Sequence, residues 1–166
     1  MWKIAWQIAR QGIATEPAPA DGGELRVLRE SVQLFQRAGF HVLVEADSAR
    51  LLDKSPASLP INKLTSRCDL LVVLGGDGTI LRVARDIKGA NTPILSVNMG
   101  TLGLLTAIME TELERSIEKI QRGNFKITER AMLDIRVLRG GKPISTHRAL
   151  NDAVIARGAT ARIVRL

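Results

Sequence analysis

Gly75-Gly76-Asp77-Gly78-Thr79 places one carboxylate inside a turn that has three glycines in its first four positions. The turn follows an unbroken apolar run, Leu70 to Leu74, and precedes a segment of helical period. A strand-to-helix turn presents main-chain N–H groups and the positive end of a helix dipole, a combination that attracts phosphate. Glycine there admits positive φ and lets a ligand approach without Cβ obstruction. The pattern is neither a Walker A loop, because no Gly-Lys-Ser/Thr follows, nor G-x-G-x-x-G. Asp77 has two readings. It is either an N-cap that satisfies its own helix, or a proton acceptor for an attacking hydroxyl while Gly75, Gly76, Gly78 and Thr79 hold phosphate oxygens. Phosphoryl transfer suits such a site, because its loose transition state needs alignment and charge neutralisation more than covalent chemistry. A helix N-terminus also favours the anionic side chain. No second carboxylate at a suitable spacing suggests a dedicated metal cage, so a divalent ion would arrive with nucleotide phosphates.

The elements that must hold this turn follow from hydrophobic period. Ile4 to Ile8 reads as a strand and Thr15 to Gly23 as a loop. Leu25, Leu28, Val32 and Phe35 predict a helix over about Glu24 to Ala38, with Gly39 at the position after its end. His41 to Val44 reads as a second strand and Ser55 to Pro60 as loop. Leu70 to Leu74 is the run expected of a strand buried on both faces of a parallel sheet. A helix from Thr79, with Ile80, Ala84 and Ile87 on one side, ends at Gly89. Ile94 to Val97 is a further strand. Thr111 with Glu114 suggests a capping box, ahead of a helix that buries Leu113, Ile117 and Ile120. Such alternation implies βαβ units, hence an α/β domain whose parallel sheet carries helices on both faces. Ligands of such sheets bind beyond the carboxyl ends of the strands. After about Phe125 the rhythm becomes that of strands. Leu133, Ile135 and Val137 alternate with polar residues, Gly140-Gly141 offers a turn, and Ile144 to Leu150, Ala153 to Ala156 and Ile163 to Leu166 read as short strands. The division is thus a nucleotide-binding α/β domain over 1–125 and the beginning of an all-β domain over 126–166.

Composition excludes several classes. Hydrophobic residues make up 45% and charged residues 25% of the 166 positions, which suits a globular chain rather than a disordered or fibrous one. No apolar stretch approaches a membrane span and no signal peptide is evident, which points to the cytoplasm. The single cysteine, Cys68, reads as a small buried hydrophobe, and His41 and His147 as structural. The net charge of +7 lies wholly in residues 122–166, which carry 10 Lys/Arg against 3 Asp/Glu. Spread singly, those cations suit a solvated face or a surface that meets polyphosphate. Without interleaved aromatics they do not suggest nucleic acid.

The glycine turn also carries a resemblance. GGDGT is shared by NAD kinases and by diacylglycerol and sphingosine kinases, with a close variant in phosphofructokinases. Val97-Asn-Met-Gly-Thr-Leu-Gly-Leu-Leu-Thr106 is similar to the V-N-x-G-x-L-G-F-L-T segment of NAD kinases, with Leu104 where Phe is usual. Arg148-Ala-Leu-Asn-Asp-Ala-Val-Ile155 resembles that family's A-L-N-E/D-x-V-I segment, and Thr128 to Leu133 its R-x-x-L entry to the second domain. The resemblance implies transfer of a phosphoryl group from ATP or polyphosphate to the adenosine ribose 2'-hydroxyl of NAD, with Mg2+ or Mn2+ accompanying the donor. It implies Asp77 as general base, Asp77 and Gly78 touching NAD, Arg82 near its phosphates, and Asn151, Asp152 and Arg162 as nucleotide contacts. A homodimer or homotetramer is implied too.

Each position also has a plainer reading. Arg82 and Arg162 could be surface charges, Asn98, Gly100 and Gly103 turn formers, and Asn151-Asp152 an Asx-type turn. A lipid kinase is the alternative that GGDGT alone would allow, and a non-catalytic nucleotide-binding fragment the alternative of another class. The family's Thr-Pro-x-Gly-Ser-Thr-Ala-Tyr-like stretch has no counterpart here. The expectation is therefore a partial chain, weakly active or inactive by itself.

Overall fold

Leu70 to Leu74 is buried at every position, because the strand it forms lies in the middle of a sheet covered on both sides. The computed structural model describes residues 3–8, 22–53, 56–87, 89–100 and 103–154. Two units can be separated, Met1–Ile127 and Thr128–Leu166. Among the described residues the first contains six strands: β1 (Lys3–Ile8), β2 (His41–Glu45), β3 (Ser58–Leu59), β4 (Leu70–Leu74), β5 (Ile94–Asn98) and β6 (Ile108–Met109). They form one sheet in the order β3-β2-β1-β4-β5-β6, and all neighbours are parallel. Its helices are α1 (Gly22–Arg37), α2 (Ala46–Ala49), α3 (Ile61–Leu64), α4 (Asp77–Asp86) and α5 (Leu113–Gln121).

Connections from β1 lead one way across the sheet and those from β4 lead the other, so right-handed crossovers put α1 and α4 on opposite faces. The side chains of β4 follow the two-residue period. Leu70, Val72 and Leu74 join one core cluster with Val27, Leu28, Val32 and Phe35 of α1 and Leu113 and Ile117 of α5. Leu71 and Val73 are equally buried but outside that cluster, on the side of α4 with Ile80 and Val83. Each such residue contributes about 1.5–3 kcal/mol by leaving water. This two-sided burial fixes the level at which β4 ends, and so the position of the turn after it.

Local differences from the sequence reading have local causes. α1 buries Val27 and Ser31 alongside Leu28, Val32 and Phe35, while Leu25 is only half-buried. It ends as expected at Gly39, whose φ is +81°. The Phe40 N–H donates to Phe35 O at 3.0 Å, and the two rings meet edge to face at 5.5 Å. Gly39→Ala meets no steric neighbour, so only backbone strain counts. We expect a loss of about 1–2 kcal/mol, read as a lower urea midpoint at unchanged slope.

The expected loop over Ser55 to Pro60 contains the edge strand β3, and α2 and α3 are too short for periodicity to announce. The buried Glu45 carboxylate caps α2 by accepting the N–H groups of Asp47 and Ser48, each at 3.0 Å. The Thr111/Glu114 box is corrected: Thr111 lies inside a 3-10 turn (Glu110–Glu112), and Glu112 reaches back to accept the Met109 N–H at 2.9 Å. The reason is that the chain turns directly out of β6 and leaves Met109 as the exposed donor.

In the second unit, β7 (Leu133–Arg139) pairs antiparallel with β8 (Lys142–Ala149). Gly140 and Gly141 have φ of +56° and +74°, the positive pair that a two-residue type I′ hairpin needs. Arg148 Nε donates to its cross-strand partner Asp134 at 2.7 Å. Ala153 and Val154 are not in a strand, which corrects that part of the reading. Neither has a ladder partner among the described residues. The strand expected over Ile163 to Leu166 lies outside the described residues.

Candidate functional site

Gly75 stands where other residues do not fit. Its φ is +144°, and a Cβ there would overlap the Thr79 hydroxyl and come within 2.9 Å of Thr79 Cβ. The Gly75 N–H donates to Val97 O at 2.9 Å, which ties the turn to the neighbouring strand β5. Gly76 is the N-cap of α4, in extended conformation, and its carbonyl accepts the N–H groups of Thr79 at 3.0 Å and Ile80 at 3.3 Å. Asp77 is therefore the first residue of the helix, and the N-cap alternative for it is corrected.

The Asp77 side chain turns toward the loop that follows β5. Its Oδ2 accepts the Leu104 N–H at 2.9 Å and its Oδ1 the Leu105 N–H at 3.0 Å. Gly103 comes so close that a Cβ there would overlap Asp77 Oδ1 and lie 2.6 Å from Asp77 Cγ. The half-buried carboxylate is thus gripped by main chain from 26 to 28 positions away. Strand order makes this possible: β4 and β5 are adjacent and parallel, so the loops after both emerge at the same edge of the sheet. That edge adjoins the point between β1 and β4 where the strand order reverses, the crevice where open α/β sheets hold ligands.

The loop after β5 is itself anchored. The Gly100 N–H donates to Asn98 Oδ1 at 2.9 Å, the Gly103 N–H to Thr106 Oγ1 at 3.2 Å, and Ser96 Oγ to Leu105 O at 3.1 Å. Asn98 is buried and serves as an Asx-turn acceptor, so the turn-former reading holds for Asn98 with Gly100. For Gly103 the structure shows close approach to a carboxylate instead.

Residues 21–125 match the family model described as ATP-NAD kinase N-terminal domain. The chain belongs to the NAD kinase family. The NAD kinase of Geobacter sulfurreducens is 44% identical over 138 residues, which cover 83% of this chain and 48% of the relative. That of Caldanaerobacter subterraneus subsp. tengcongensis is 49% identical over 105 residues, covering 63% of this chain and 37% of the relative. The chain spans about half the length of the curated relatives it matches. A solved yeast NADH kinase complexed with NADH has the same fold, with a TM-score of 0.70 at 20% identity across 91% of this chain and 47% of that one.

Of the remaining positions singled out in this NAD kinase family member, Arg82 lies on α4 with its Nε buried and without a hydrogen-bond partner among the described residues. Asn151 and Asp152 are exposed in the second unit, just beyond β8. Arg162 lies outside the described residues. The amide donors of Leu104 and Leu105, and the anchors Ser96 and Thr106, were not singled out from sequence as site residues. Among the described residues no group of three or more His, Cys, Asp and Glu side chains could hold a metal ion. No helix among them is long and apolar enough to cross a membrane.

Proposed function

We propose that this chain carries the phosphoryl-transfer half of an NAD kinase site, in which ATP or polyphosphate phosphorylates the adenosine ribose 2'-hydroxyl of NAD. The observation that carries the reading is the Asp77 carboxylate, held by two amides at the phosphate-attracting start of α4. Each carboxylate oxygen offers about two lone-pair directions, so one amide apiece leaves an acceptor site for a hydroxyl. Asp77 takes the proton as the 2'-oxygen bonds to the γ-phosphorus and the bond from phosphorus to the donor's bridging oxygen breaks. The N–H groups of Asp77 and Gly78 precede the first intrahelical hydrogen bonds of α4 and serve phosphate oxygens.

Two further observations support it. A Cβ at Gly76 or Gly78 would meet nothing within 4 Å, so no neighbour among the described residues requires glycine there, and room for a ligand is a reason for it. Arg82 stands on the same helix, in the turn after Asp77 and Gly78, and its guanidinium is proposed to meet phosphate oxygens. Asn151, Asp152 and Arg162 are proposed to contact nucleotide. Mg2+ or Mn2+ is proposed to come with the donor's phosphates, as the family resemblance implies. A homodimer or homotetramer in the cytoplasm completes the proposal on the strength of the family resemblance.

The test is NADP formation by the full-length gene product supplied with ATP and NAD. Turnover with NAD and none with diacylglycerol is the expected result. Phosphorylation of the lipid alone, or of neither, would overturn it.

A further inference from the structure

We propose that Thr106 is a positioning residue for Asp77, acting through the backbone of the loop between β5 and β6. The inference rests on the reading of Asp77 as proton acceptor. The two amides that hold Asp77 belong to Leu104 and Leu105. Packing among the described residues does little to hold Leu104, which is 88% exposed. The orientation of those peptides is instead set by polar anchors on either side.

On the amino-terminal side, Thr106 Oγ1 accepts the Gly103 N–H at 3.2 Å, and the amide nitrogen of the buried Asn98 lies 3.5 Å from the same oxygen. On the carboxyl-terminal side, Ser96 Oγ donates to Leu105 O at 3.1 Å and accepts the Ala107 N–H at 2.8 Å. Ser96 and Asn98 belong to β5, so the sheet itself is the reference frame. Thr106 links that frame to Gly103, the residue whose Cα lies against the carboxylate.

A general base works only when its oxygen is aligned with the proton it accepts, and a displacement far smaller than a side chain costs rate rather than binding. Removing the Thr106 hydroxyl frees the Gly103 peptide, lets the Leu104 and Leu105 amides drift, and leaves Asp77 mobile. The nucleotide contacts proposed for Gly78, Arg82, Asn151, Asp152 and Arg162 are made by other residues, so kcat falls while KM for NAD changes little.

The test uses the full-length protein and three variants. Thr106→Val keeps the shape and removes the acceptor, and kcat is expected to fall about tenfold, the factor that loss of one neutral hydrogen bond gives, with KM for NAD within about twofold. Thr106→Ser is expected to restore kcat to within about twofold of the parent. Amide hydrogen exchange provides a readout independent of turnover: Asp77→Ala and Thr106→Val should both accelerate exchange at Leu104 and Leu105. Unchanged exchange in Asp77→Ala would show that the clamp does not form, which sinks the inference whatever Asp77 does in catalysis. Faster exchange in Thr106→Val with full kcat would sink it as well, as would a Ser variant no better than Val. If instead an Asp77→Asn enzyme turns over normally, the underlying reading of Asp77 fails, with the exchange result standing by itself.

Discussion

Asp77→Asn is expected to lower NADP formation by about a hundred- to ten-thousand-fold, the range that a positioned general base contributes. The substitution preserves size and leaves one oxygen to accept an amide. Its new NH2 group faces the second amide donor, so one of the hydrogen bonds from Leu104 or Leu105 is lost. The cost to folding stays near 1 kcal/mol, because Asp77 is only half-buried and water can serve the freed N–H. Loss of rate with retained NAD binding by calorimetry and a melting temperature lowered by only a few degrees therefore separates chemistry from folding. An Asn enzyme within about threefold of the parent rate would remove Asp77 from the proposed mechanism.

Gly103→Ala should cost about a hundredfold in kcat, for a reason opposite to the usual one for glycine. The backbone of Gly103 does not call for positive φ, so alanine meets no conformational penalty there. The obstacle is the Asp77 carboxylate, which a Cβ at Gly103 would overlap. A carboxylate is the movable end of a short side chain, so it rotates away and the fold survives. The proton acceptor then no longer stands beside the first turn of α4. Steady-state kinetics should show reduced kcat at near-normal KM, and the denaturant midpoint should move by no more than about 1 kcal/mol in stability. Full activity in this variant would mean that the base does not occupy the position described. Gly75→Ala offers the contrast, since a positive φ and the collision with buried Thr79 both oppose it.

Much of the first unit could be read from residue order, because the signals are local. Leu70 to Leu74 announced a strand buried on both faces, and Gly39 announced the end of α1 through a left-handed residue that glycine alone adopts cheaply. Gly140-Gly141 marked its hairpin by the same logic. Short or edge elements escaped. β3 and β6 have two residues each, and α2 and α3 four, too few for any period to emerge. The start of α5 was misplaced because Thr111 and Glu114 match a capping pattern that the chain path out of β6 does not use.

The candidate site divides along the same line. Residue types alone put a carboxylate in a glycine turn between strand and helix, which already implied phosphate chemistry, and the neighbouring Asn98-Met-Gly segment narrowed the family. Only the tertiary structure decided that Asp77 is held by Leu104 and Leu105, that Gly103 is small because a carboxylate lies against it, and that Thr106 and Ser96 anchor the loop between. Those donors are main-chain N–H groups, which every residue except proline possesses, so no pattern of residue types can reveal them. They become partners of Asp77 because β4 lies beside β5 in the sheet, and that adjacency is set by the packing of the whole domain.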